Sequence, residues 1–135
     1  MTLQYSVAVR NARLDAVEST IGTSAIMEIR TGAQPATCAT ASSGTVLATI
    51  SLGSDWMAAA SSGAKAKSGT WSDTSADAPG TAQHFRIFAS DGTTCGAQGS
   101  ITATGGGGDL TLDNTSITAG QAVTITSFSL TAGNA

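Results

Sequence analysis

The stretch Thr81–Thr104, TAQHFRIFASDGTTCGAQGSITAT, decides the fold class. Its first nine residues alternate. Phe85 and Ile87 fall on one face of an extended chain, and His84, Arg86 and Phe88 on the other. Ser90-Asp91-Gly92-Thr93 then breaks the pattern. Asp-Gly supplies the positive φ angles that a two-residue hairpin turn needs, so Thr94–Thr104 is predicted to return as the antiparallel partner.

Working outward, the period of two continues in both directions. Ser24–Thr31 (SAIMEIRT) places Ala25, Met27 and Ile29 on one face, Gly32–Gly44 is a loop containing Pro35 and Cys38, and Thr45–Leu52 (TVLATISL) reads as another strand. Ser54-Asp55 can cap a short helical stretch, WMAAASSG, ending at Gly63. Ala64–Gly80 is polar with Trp71 as its only large anchor, and Thr70-Trp71 fits a short strand. Beyond the hairpin, Gly105–Gly108 reads as a flexible loop and Leu110 and Leu112 as a short strand. Turns follow at Asp113-Asn114 and Ala119-Gly120. In Gln121–Ala132 (QAVTITSFSLTA) the alternation slips: Val123 and Ile125 are in one phase, Phe128 and Leu130 in the other. A bulge or bend near Thr126-Ser127 would bring both pairs inward.

The first 22 residues follow a different period. Leu3, Val7, Leu14, Val17 and Ile21 recur as the apolar stripe of an amphipathic helix over about residues 4 to 21, with Arg10 as the polar intruder. Ser6 and Asn11 are both plausible N-caps, Gly22 is the C-cap, and Arg13, Asp15 and Glu18 lie on the other faces. The expected organisation is therefore a helix over residues 1–22, packed on its own domain or on a neighbour, and a β-domain over residues 23–135. The fold class is mainly β: an antiparallel β-sandwich or jelly-roll-like barrel of six to eight strands with one N-terminal amphipathic helix. Where the helix docks outward instead of onto its own sheet, Leu3, Val7, Arg10, Leu14, Val17 and Ile21 are its interface residues.

Composition narrows the function. The chain has 135 residues, enough for one domain, and only 11% are charged, against about 25% in an average soluble domain. A Ser/Thr-rich, charge-poor surface loses little hydration when it docks. Net charge is −3, and the cations Arg10, Arg13, Arg30, Lys65, Lys67 and Arg86 are scattered, so no basic stripe points to nucleic acid. No apolar run approaches the roughly 20 residues of a membrane span, and the N-terminus lacks the order of a secretion signal, which favours cytoplasmic synthesis. Cys38 and Cys95 carry no metal-type spacing; they are two small thiols or a disulfide pair.

No catalytic constellation emerges. The single histidine, His84, reads as a half-exposed strand residue, and no Gly-x-Ser-x-Gly elbow is present. Asp73 and Asp77 could face one another across a loop, but calcium needs six or more oxygens. Gly105–Gly108 lead into an alternating strand with no lysine after them, unlike a phosphate cradle. Neither cofactor, metal nor enzymatic activity is expected. A sugar platform would draw on Tyr5, Trp56, Trp71, Phe85, Phe88 and Phe128, of which at least three are needed for the core.

The opening LQYSVAVRNARLDAVESTIG, followed by AIMEIRTG and TVLATISL, resembles a group of small tailed-phage and prophage virion proteins. The same group shares Trp71–Ala78, His84–Cys95 and Ala119–Ala135. The likeness covers nearly the whole chain. It implies a non-enzymatic virion component made in the host bacterial cytoplasm, foremost a capsid decoration or cement protein. Its partners would be other copies of itself, as in a trimer, and the major capsid protein. A head–tail connector, tail or fibre part, and a carbohydrate-binding or host-adhesion module, are the alternatives.

Overall fold

A computed structural model describes residues 3–133; the outermost ends of the two expected segments, residues 1–2 and 134–135, lie outside them. The fold is mainly β, with 36% strand against 11% helix. One helix, α1 (Val7–Ile21), precedes eleven strands: β1 (Ile26–Arg30), β2 (Val46–Ser51), β3 (Ala64–Ala66), β4 (Trp71–Asp73), β5 (Gly80–Thr81), β6 (His84–Phe88), β7 (Cys95–Ala103), β8 (Leu110–Leu112), β9 (Ser116–Ile117), β10 (Val123–Ile125) and β11 (Ser129–Thr131). The count exceeds the expected six to eight because several elements are only two or three residues long.

The main sheet runs β2-β1-β6-β7-β8. The quoted hairpin is its centre. In β6, Phe85 and Ile87 pair with Gly99 and Ala97 of β7 on one side and with Ile29 and Met27 of β1 on the other. All five residues of β6 are buried, as a central strand covered on both faces requires. The turn differs from expectation. Ala89 N–H donates to Thr94 O and Gly92 N–H to Ala89 O, so four residues, Ser90–Thr93, form the loop. The Asp91 carboxylate accepts from Thr93 N, Thr94 N and the Thr94 hydroxyl, and of the Asp-Gly pair Gly92 alone takes a positive φ. An Asx-type turn has displaced the two-residue form.

Two short pairs, β4 with β10 and β3 with β11, face the inner side of the main sheet. The expected slip in the last strand is a true corner. Val123–Ile125 pairs with β4, the chain bends over residues 126–128, and Ser129–Thr131 pairs with β3. Val123, Ile125 and Phe128 are all buried as a result, and Leu130 packs against the same core. A row of rings ties the layers together: Trp56–Trp71 at 6.1 Å, Trp71–Phe128 at 5.5 Å and Phe128–Phe85 edge-on at 5.6 Å.

Two expectations are corrected. The 56–63 stretch is not helical. Met57 bridges Lys67 and Ser61 bridges Ala64, forming a β-hairpin whose turn, Ser62-Gly63, has φ of 52° and 76°. Two consecutive positive φ values define the hairpin turn that matches strand twist, and this overrides the helical preference of three alanines. The sheet is also not purely antiparallel: β8 runs parallel to β7, with Ile101 opposite Leu110 and Ala103 opposite Leu112. Parallel neighbours normally need a long crossover. Here the glycine run folds the chain back along its own strand, and a Cβ on Gly108 would lie 2.8 Å from Thr102 N. The run is a tight return rather than a loose loop.

Candidate functional site

The helix starts at Ser6, whose hydroxyl accepts from Val9 N, and ends at Gly22, whose N–H donates to Glu18 O. Along the anticipated stripe the structure separates two groups. Leu14 and Ile21 are buried and Val17 packs on the core, so the C-terminal half faces its own domain. The Arg10 guanidinium sits over Gly63 and donates from Nε to Ala132 O at 2.9 Å, tying α1 to the end of β11. Leu3 is 73% exposed and Val7 49%, and Tyr5 and Val9 are exposed beside them. Arg13 stacks over the Tyr5 ring.

The helix is held by a polar ladder as well as by its apolar stripe. Asn11 Oδ1 accepts from Gly63 N, Asp15 Oδ1 from Ala60 N and Glu18 Oε1 from Met57 N, so one face of α1 satisfies the outer edge of the 57–67 hairpin. Lys65, only 3% exposed, donates to Ala58 O and pairs with Asp15 at 2.8 Å and Glu18 at 3.0 Å. Burial works against the Lys65 ammonium, but its bonds to the Asp15 and Glu18 carboxylates outweigh it and hold the pKa above the ordinary lysine value. The bond from Lys65, then that from Ala60 N–H, hold Asp15 below the usual carboxylate range. The sequence places Asp15 and Glu18 off the apolar stripe without assigning them a partner. The usable signal was the succession Asn11, Asp15, Glu18 at steps of four and three, a second stripe beside the apolar one.

His84 is fully buried rather than half-exposed, because the 32–44 loop covers the outer face of β6. Its Nδ1–H donates to Gly32 O at 2.8 Å, and burial keeps the ring below the ordinary histidine pKa. Asp73 and Asp77 do converge, on Thr49 of β2. Asp73 Oδ2 accepts from Thr49 N and Asp77 Oδ2 from the Thr49 hydroxyl, so both acids cover the edge strand of the main sheet. Among the described residues no group of three or more His, Cys, Asp or Glu could hold a metal ion, and no helix is long and apolar enough to cross a membrane.

Cys38 and Cys95 are free thiols brought to one neighbourhood: Arg86 donates to Cys38 O, and Cys95 lies opposite Phe88 of the same strand. Below them lies Arg86, 1% exposed, donating to Ser42 Oγ and Cys38 O and stacked over the Phe88 ring. The aromatic residues are mostly interior: Trp56, Trp71, Phe85, Phe88 and Phe128 are buried, leaving Tyr5 as the one exposed ring among the described residues.

One cleft stands out. Its volume is about 440 Å³, and Val17, Phe85, Ile87, Phe128 and Leu130 line it. Two strand edges flank it. β8 joins β7 only over Ile101–Ala103, and β11 pairs only with β3, so Gly96–Gln98 and Ser129–Thr131 have no strand neighbour on this side among the described residues. No family model, curated protein or solved structure matches the chain.

Proposed function

We propose that this protein is a non-enzymatic structural component of a phage virion, foremost a capsid decoration or cement protein. The observation that carries the assembly half of this reading is the exposed apolar group Leu3, Tyr5, Val7 and Val9. It sits at the N-terminal end of a helix whose C-terminal half packs on the domain. Apolar side chains clustered in water favour a partner that covers them. The unpaired edges beside the cleft add backbone donors and acceptors that a neighbouring chain can pair. A surface with few charges docks at small desolvation cost, and a symmetric lattice multiplies modest contacts. The word phage rests on the sequence likeness alone.

Particles purified from a host carrying the gene test the reading. A decoration protein would appear in hundreds of copies per particle, and a connector, tail or fibre part, the second reading, in about a dozen or fewer. Absence from the particles would refute both. Replacing Leu3 and Val7 by Asp should abolish binding to the shell while the isolated chain stays folded.

A further inference from the structure

The outer face of β6 carries the loop 32–44, held at its start by His84 on Gly32 O and further along by Arg86 and Gln98. Arg86 donates from one terminal nitrogen to Ser42 Oγ at 2.7 Å and from the other to Cys38 O at 2.8 Å. Gln98 of β7 donates from Nε2 to Pro35 O at 2.7 Å. Within the loop, Thr37–Thr40 closes a turn through Thr40 N–H to Thr37 O, and Cys38 occupies its second position. Cys95 opens β7 directly opposite Phe88, whose ring lies against the Arg86 guanidinium. The two backbones are therefore held, by contacts that do not involve the sulfurs, around the same Arg86–Phe88 pair. Two cysteines held beside one residue pair are placed for a bridge between them.

We propose that Cys38 and Cys95 are a reversible covalent latch, closed by a low-molecular-weight disulfide such as oxidised glutathione, that bonds the 32–44 loop to β7. One protein thiolate attacks the glutathione disulfide and releases one glutathione as thiolate. The second attacks the protein sulfur of the mixed disulfide and releases the other. The two cysteine protons end on two glutathione thiols, and the two electrons lost by the cysteines reduce the reagent. The closed loop takes in β2 to β6, from the β1–β2 connection to the start of β7, so closure restricts the unfolded chain strongly. It also seals a buried guanidinium that faces carbonyl and hydroxyl oxygens rather than a carboxylate. The latch concerns the chain itself and holds whatever assembly the chain joins.

The test uses the full chain. Burial pushes the Cys38 thiol up, so the protein is incubated with oxidised glutathione at about pH 8.5, near the ordinary thiol pKa. Expected are loss of both thiols, a monomer lighter by two hydrogens, and a melting temperature raised on the order of 10 °C, reversed by dithiothreitol. Cys38→Ser should instead retain a stable glutathione adduct on Cys95. The proposal is overturned if the folded wild-type chain keeps both thiols, ends with glutathione adducts, or cross-links between molecules.

Discussion

At the scale of single residues, the molecule depends on two buried cations that solve the same problem differently. Lys65 is neutralised by Asp15 and Glu18, and Arg86 spreads its charge over oxygens of the covering loop. Removing one partner of a buried ion pair costs more than the pair contributes, because the remaining group is stranded. Lys65→Ala should therefore destabilise the chain by about 2–3 kcal/mol, discounted because Asp15 still reaches water. Urea unfolding measures this. The pair also sets a pH window. The Asp15 pKa is lowered on folding, so its contribution is complete above the unfolded value of 3.8 and disappears as pH falls through the lower folded value. The Lys65 pKa is raised, so its contribution is complete below 10.5 and is lost as pH rises through the folded value. The melting temperature of the wild type should drop at both extremes, and that of Lys65→Met should lose most of the alkaline drop. Arg86→Met leaves Cys38 O and Ser42 unpaired and should cost about 2 kcal/mol, with faster amide exchange confined first to residues 32–44.

At the scale of elements, the 57–67 hairpin shows where local sequence misleads. Trp-Met-Ala-Ala-Ala has good helical propensity, yet Ser62-Gly63 closes a tight hairpin turn, and the carboxylates of α1 take the N–H groups that a helix would have used internally. Local preference of a few tenths of a kcal/mol per residue gives way to several tertiary hydrogen bonds. The turn offers two opposed tests in the same unfolding experiment. Ser62→Asn supplies the residue best suited to the first position and should stabilise by about 0.5 kcal/mol. Gly63→Ala should destabilise by about 2 kcal/mol, since its Cβ would lie 2.3 Å from the Arg10 guanidinium at a φ of +76°. The strands of the main sheet were legible because each has one apolar face, and period two needs nothing else. The return of β8 in parallel was not. Four glycines announce mobility and close approach equally well, and only the position of Thr102 against Gly106 and Gly108 distinguishes them.

At the scale of the whole molecule, the decisive question is what the helix is for, and its stripe gives a divided answer. Periodicity located Leu3, Val7, Arg10, Leu14, Val17 and Ile21 on one side of a helix, but periodicity alone does not say where the domain beneath ends. The domain reaches Arg10, whose Nε–H closes on Ala132 O. Beyond that point the same stripe continues into water through Val7 and Leu3. A stripe serving only the domain's own core has no physical reason to carry side chains as exposed as Leu3 and Val7. A stripe that also grips a neighbour does. The two halves should then separate under mutation. Leu14→Asp places a charge at a position 5% exposed and should cost upwards of about 3 kcal/mol. Leu3→Asp with Val7→Asp should shift the unfolding midpoint by no more than about 0.5 kcal/mol, as surface substitutions do. If the outward half grips another subunit or a capsid lattice, this second pair alone should lower the association state seen by sedimentation, or the occupancy of the protein on particles. Equal loss of stability from both halves would place the entire stripe in the chain's own core and remove the interface.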